Sequence, residues 1–138
     1  MKMYVGGQWV DGEKSMPVLN PFDGREIDRV PVASGGDLER AIAGAVRGAA
    51  AMRRMAAYDR AAILRRAADA MQARQQELGR LISSEEGKTL AEGVFEASRA
   101  TETMYLSAEE ARRIRGEVLP LDAAPGSTGK LGFTLRVP

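Results

Sequence analysis

A long, uninterrupted helical period constrains the fold more than any other feature of the sequence. Within residues 83–117 the stripe residues recur at alternating spacings of four and three. This spacing places them along one face of a helix. Gly116 follows three nearby arginines and predicts the end of the helix, which is then about 25 residues and about 38 Å long. The stripe consists of Leu90, Val94, Ala97, Thr101, Met104, Ala108 and Ala111.

Two further helical regions precede this segment. Ser34 and Asp37 have the S-x-x-D form of a capping box and predict a helix start, followed by an apolar stripe from Leu38 to Met52. Asp59 is the predicted cap of the next helix, whose stripe continues to residue 82. Gly79 is the candidate point for a break into a separate short helix that ends near Ser83. Three to four helices are therefore predicted.

Short β-prone runs lie at both ends of the chain. Two glycines join the runs 3–5 and 8–10, which predicts an opening hairpin with a tight primed turn, and residues 11–15 are its predicted polar exit. Alternation of apolar and polar residues over 131–137 predicts a C-terminal strand after a loop that begins at residue 121. The predicted fold class is α+β, with an N-terminal hairpin, the helices and a C-terminal strand.

A second strand is predicted between the hairpin and the first helix. Asn20-Pro21-Phe22-Asp23-Gly24 has the residues of a turn, because Pro presets one backbone angle and Gly tolerates a positive one. The run 25–32 follows it and reads as a strand. Pro31 within this run lacks an N–H donor, which favours an edge position.

Composition excludes several classes of chemistry. The 138 residues contain no cysteine and no histidine, which excludes disulfides, thiolate nucleophiles, Cys/His metal sites and histidine-based triads. With 20 basic and 19 acidic residues, the net charge of +1 provides no broad field for nucleic acid or an anionic membrane. No apolar run reaches the length of a signal peptide or a membrane span. We therefore predict a cytoplasmic protein without a nucleic-acid or membrane partner.

Two local patterns are candidates for binding or catalysis. The run 126–130, Gly-Ser-Thr-Gly-Lys, resembles part of a phosphate-binding loop, but Ala124 and Leu131 occupy positions that require Gly and Ser or Thr. Glutamates 85, 86, 92 and 96 could form a carboxylate cluster, although interleaved Lys88 and Arg99 favour ordinary charge pairing on helices. Lys88 would act as a base or nucleophile only if desolvated. We predict that no residue of this chain is catalytic, cofactor-binding or metal-binding.

Several motifs, in order along the chain, resemble the N-terminal region of the aldehyde dehydrogenase superfamily. Glu86-Gly87-Lys88 precedes the long helix, Gly116-Glu117-Val118-Leu119-Pro120 follows it, and the last strand ends in Arg136-Val137-Pro138. The opening hairpin and the 20–24 turn match the same region. The resemblance implies an α/β fold for the full-length protein. It also implies that residues 1–118 form the outer, helical part of the cofactor-binding domain and residues 119–138 the start of the oligomerisation arm.

The same resemblance implies a function. Family members oxidise an aldehyde to a carboxylic acid with NAD or NADP, using a nucleophilic cysteine, a glutamate base and an asparagine, none of which matches a position of this sequence. The chain is therefore predicted to be an N-terminal segment that is inactive alone and binds no cofactor. Its 131–137 strand would pair with the remainder of the enzyme or with another subunit of a homo-oligomer. The alternative is a free-standing helical interaction module with a pairing C-terminal strand.

Overall fold

The computed structural model describes residues 1–137 and confirms the α+β class. Within this range the helices are α1 (Gly35–Arg54), α2 (Ala57–Ala73), α3 (Gln75–Glu86) and α4 (Leu90–Ala111). The strands form three separate antiparallel hairpins. They are β1 (Met3–Val5) with β2 (Gln8–Val10), β3 (Lys14–Leu19) with β4 (Glu26–Val32), and β5 (Val118–Pro120) with β6 (Leu131–Phe133).

The first hairpin confirms the primed-turn prediction. Gly6 and Gly7 have φ angles of 59° and 92°, values that favour glycine in both central positions of such a turn. Tyr4 lies opposite Trp9 in the register, and their ring centroids are 5.0 Å apart. The aromatic pair therefore stabilises the hairpin across its two strands.

The second hairpin contains a strand that the sequence analysis missed. Residues 14–19 form β3, although 11–15 were predicted to be a polar exit. The predicted turn is confirmed: the Asn20 N–H donates to the Arg25 carbonyl at 2.9 Å, and the Asn20 side chain accepts from the Phe22 N–H at 2.9 Å. Pro31 lies opposite Ser15 in this two-stranded sheet, where every strand is an edge.

The helix starts are only partly as predicted. The Ser34 capping box is present, with the Asp37 carboxylate accepting from the Ser34 N–H at 2.8 Å. Asp59 is not a cap, because α2 begins after Ala56 without a side-chain cap. Asp59 lies instead in the first turn, where its negative charge interacts favourably with the positive end of the helix dipole. The predicted break at Gly79 is also wrong, since the chain breaks at Arg74 and Gly79 lies inside α3.

The long helix is shorter than predicted. It begins after Thr89, whose side chain forms a capping box with Glu92, and ends at Ala111 rather than near Gly116. The C-terminal strand is also shorter, because β6 covers Leu131–Phe133 of the predicted 131–137. β6 pairs with β5, a strand that the sequence analysis did not predict.

The centre of the fold is a close-packed unit of α2, α3 and α4. Its buried apolar side chains are all alanines, at Ala61, Ala68, Ala97 and Ala108, so the helix axes approach closely. Larger apolar residues remain open: Leu38, Ile42 and Val46 of α1 are 57%, 50% and 66% exposed. The apolar face of α1 is therefore not covered by the residues that the structure describes.

Candidate functional site

Lys88 lies in the turn between α3 and α4 and forms the best-connected ion pair of the described chain. Its ammonium is 2.6 Å from the Glu86 carboxylate and also bonds the Glu96 carboxylate. The hydrogen bonds that the Lys88 ammonium donates, to Glu86 first and to Glu96 second, raise its pKa. A lysine held in its charged form by two carboxylates is a structural cation, because a nucleophile or base requires the neutral amine.

The four glutamates near this turn do not form one cluster. Glu86 and Glu96 pair with Lys88, as the charge-pairing interpretation predicted, whereas Glu92 closes the cap of α4. Between residues 1 and 137, no group of three His, Cys, Asp or Glu side chains is placed to hold a metal ion. The turn instead fixes α3 to α4 through Gly87, whose left-handed φ of 70° ends α3.

The carboxylate of Glu92 gives this turn a pH dependence. Hydrogen bonds from Thr89 lower the pKa of Glu92 below its ordinary 4.5. A carboxylate with a lowered folded-state pKa stabilises the fold above pH 4.5, and this stabilisation is lost as the pH falls through the folded-state value. We expect the melting temperature of Glu92→Gln to fall less between neutral and acid pH than that of the unaltered chain, as measured by circular dichroism. Glu85→Gln, on a neighbouring glutamate, is the control, and an equal fall in both variants would contradict this assignment.

The 126–130 loop does not have the geometry of a phosphate cradle. The N–H groups of Ser127 and Lys130 donate to the carbonyls of Ala124 and Ser127, at 3.2 Å and 3.1 Å. The loop leads into β6 rather than into a helix. Two of the five N–H groups of the loop are thus used in turns, and no helix follows to add the N–H groups that a phosphate loop has at its helix start.

An open apolar groove lies between α2 and α4 and is here called the α2–α4 groove. It encloses about 510 Å³ and also touches the end of α1. Leu106, on its wall, is 61% exposed, and Ile114 is 62% exposed. Apolar side chains therefore remain open to solvent along this groove. Its apolar lining includes Met52, Ile63, Leu64, Leu106, Ala111 and Ile114.

The described residues form an α+β unit with an alanine core and an open apolar groove. The sequence model of the aldehyde dehydrogenase family matches residues 9–138. The chain therefore belongs to the aldehyde dehydrogenase family, to whose N-terminal segment it corresponds.

Individual relatives agree with this assignment. A 3-sulfolactaldehyde dehydrogenase of Priestia aryabhattai is 37% identical over 136 residues, which are 99% of this chain and 28% of that protein. The structure of aldehyde dehydrogenase 21 from Physcomitrella patens, in complex with the reaction product succinate, has a TM-score of 0.87 at 32% identity and covers 96% of this chain. An NAD-dependent benzaldehyde dehydrogenase of Corynebacterium glutamicum has a TM-score of 0.79 at 29% identity and covers 91%.

The matched region is a small part of each relative. The chain spans 28% of the length of the 3-sulfolactaldehyde dehydrogenase and 28% of each of the two solved structures. No helix among residues 1–137 combines the length and apolar character needed to cross a bilayer.

Proposed function

We propose that the chain is the N-terminal segment of a cytoplasmic, homo-oligomeric NAD(P)-dependent aldehyde dehydrogenase and that it supplies scaffolding rather than catalytic groups. Residues 1–118 would form the outer helical part of the cofactor-binding domain, and residues 119–138 would begin the oligomerisation arm. The observation that carries this proposal is the open α2–α4 groove on a chain that matches 28% of a relative's length.

The residues present do not fit a nicotinamide dinucleotide. A dinucleotide binds across the carboxyl ends of parallel strands, whereas every strand pair in residues 1–137 is antiparallel and two-stranded. The sequence also holds no cysteine to attack an aldehyde. The dinucleotide-binding sheet and the cysteine nucleophile would therefore lie outside these 138 residues. The NAD dependence of one matched structure supports NAD as the cofactor of the complete enzyme.

The names of two relatives support a substrate class. 3-Sulfolactaldehyde carries a sulfonate, and succinate, the product bound in the moss enzyme, carries a second carboxylate beyond the one formed by oxidation. We therefore propose that the complete enzyme oxidises a small aldehyde with an anionic group at its other end.

A chimera tests the proposal. Residues 1–138 are fused in place of the corresponding segment of the Priestia 3-sulfolactaldehyde dehydrogenase, to which they are 37% identical. We expect NAD reduction with 3-sulfolactaldehyde by the chimera, and none by the relative lacking its segment or by the 138-residue chain alone. Leu106→Glu in the groove should abolish assembly of the chimera, because it places a charge against apolar partner surface.

Gln76→Glu is the matched control, since it adds the same charge to an exposed position of α3 outside the groove. Aldehyde oxidation by the isolated chain would show that the placement of the chemistry is wrong. An inactive chimera, together with an isolated chain that remains monomeric and folded, would instead support the free-standing interaction module.

A further inference from the structure

A second cleft, on the other side of the α2–α4 pair, has a different chemical character from the groove. Its side chains come from one face of α2, at Tyr58, Ala61 and Arg65, and from the end of α4, at Ala108, Glu109 and the C-cap residue Arg112. It encloses about 150 Å³. We call it the Arg65–Arg112 cleft. Tyr58, Ala61 and Arg65 share one face of α2 through spacings of three and four, and Arg112 lines the same cleft from the α4 side.

The charges of this cleft are not balanced internally. Neither Arg65 nor Arg112 forms a salt bridge within residues 1–137, and Glu109 is the one carboxylate in the lining. The lining therefore holds two guanidinium groups and one carboxylate, while the Asp69 carboxylate, outside the lining, accepts from the Tyr105 hydroxyl. Most exposed arginines are simply solvated. Arg65 can contribute to a binding site only if its side chain is held in one position.

Arg65 is held in place by neighbouring residues. Its guanidinium carbon lies 5.7 Å from the centroid of the Tyr105 ring, a cation–π arrangement. Tyr105 is fixed in turn, since its hydroxyl donates to the Asp69 carboxylate at 2.7 Å and lies 3.1 Å from the Gln72 amide oxygen. The bond to Asp69 raises the pKa of the Tyr105 phenol, which keeps it a neutral donor. Arg65 therefore loses less conformational freedom on binding a ligand than a free surface arginine would.

The floor of the cleft includes the methyl groups of alanines. Ala61 and Ala108 are 6% and 4% exposed and offer methyl groups only. A planar ring can lie on such a floor while its carboxylate meets a guanidinium fork, which binds carboxylates in a bidentate manner. We infer that the Arg65–Arg112 cleft is a binding site for a small planar carboxylate. This inference does not rest on the proposed aldehyde oxidation.

Titration of the 138-residue chain with benzoate tests the inference, with chemical-shift changes of the backbone amides as the readout. We expect changes confined to residues 58–65 and 105–112 and a Kd of about 1 mM, as for a weak, half-open site. Benzamide, which has the same shape without the charge, should bind at least about tenfold more weakly. Equal affinities for the two probes would overturn the inference.

Three substitutions locate the site. Arg65→Gln and Arg112→Gln should each weaken benzoate binding about tenfold, because each removes a charge-assisted hydrogen bond. Glu109→Gln should strengthen it about threefold, because it removes the opposing carboxylate, an effect that mere damage to the fold would not produce. Arg47→Gln on α1 is the control and should leave the Kd unchanged. Unaltered binding in both Arg65→Gln and Arg112→Gln would refute the site.

Discussion

Substitution of Gly93 by alanine is expected to lower the free energy of unfolding by about 3 kcal/mol, even though alanine favours a helix by about 1 kcal/mol over glycine. A Cβ atom at Gly93 would lie 2.4 Å from the carbonyl oxygen of Gly79 and 3.2 Å from the backbone nitrogen of Ser83. Both atoms belong to the backbone of α3, so no side-chain rotation relieves the overlap. The helices must separate, and the packing of α3 against α4 is lost.

Gly79 has the same role on the opposing helix. Its Cβ would lie 2.7 Å from the Cα of Val94 and 2.8 Å from the Val94 nitrogen. Gly79→Ala is therefore expected to destabilise the chain to a similar degree, and the double variant should cost less than the sum because both residues occupy one crossing.

Urea unfolding followed by circular dichroism measures this effect. Gly48→Ala is the matched control, because Gly48 also lies inside a helix, α1, but a Cβ there meets nothing within 4 Å. The control should keep or slightly raise stability. If Gly93→Ala and Gly48→Ala unfolded at the same urea concentration, the close crossing of α3 and α4 would be incorrect.

These glycines show where sequence reasoning succeeds and where it stops. The period of three and four located α1, α2 and α4, and the S-x-x-D pattern at Ser34 located a helix start, because both depend on neighbours in the chain. Glycine weakens an isolated helix, and Gly79 is for this reason a candidate break in the sequence. Glycine is required at position 79 because the backbone of α4 lies against it. No local sequence pattern reveals such a contact between distant segments.

The candidate sites also depend on contacts between distant segments, which local sequence patterns do not reveal. The stripe of α1 predicted an apolar face, yet Ile42 in that stripe is 50% exposed, because periodicity identifies a face without identifying what covers it. The resemblance to aldehyde dehydrogenases was accessible from sequence, since its motifs are spread from the first hairpin to Arg136. The Arg65–Arg112 cleft was not, because its two arginines meet only through the packing of α2 on α4.

The second large effect concerns Gly116, which ends no helix but lies against the β5–β6 hairpin. A Cβ at Gly116 would fall 1.6 Å from the Thr134 carbonyl oxygen and 2.7 Å from its carbonyl carbon, so alanine cannot occupy this position without displacing Thr134. The displacement breaks two hydrogen bonds, from the Thr134 N–H to the Glu117 carbonyl at 2.9 Å and from the Glu117 N–H to the Thr134 hydroxyl at 2.9 Å. At about 1 kcal/mol each, their loss should speed hydrogen exchange of both amides about 30-fold.

Gly132→Ala provides the comparison within the same hairpin. The three atoms nearest to its Cβ would be side-chain atoms of Leu121, the closest at 3.1 Å. Because that side chain can rotate away, exchange at Thr134 should change little. If the β5–β6 hairpin begins the oligomerisation arm, as proposed, Gly116→Ala should also reduce the oligomer of the chimera measured by light scattering, whereas Gly132→Ala should not. Unchanged exchange at Glu117 and Thr134 in Gly116→Ala would mean that these two segments do not touch in solution, and the assignment of the hairpin to the arm would lose its structural basis.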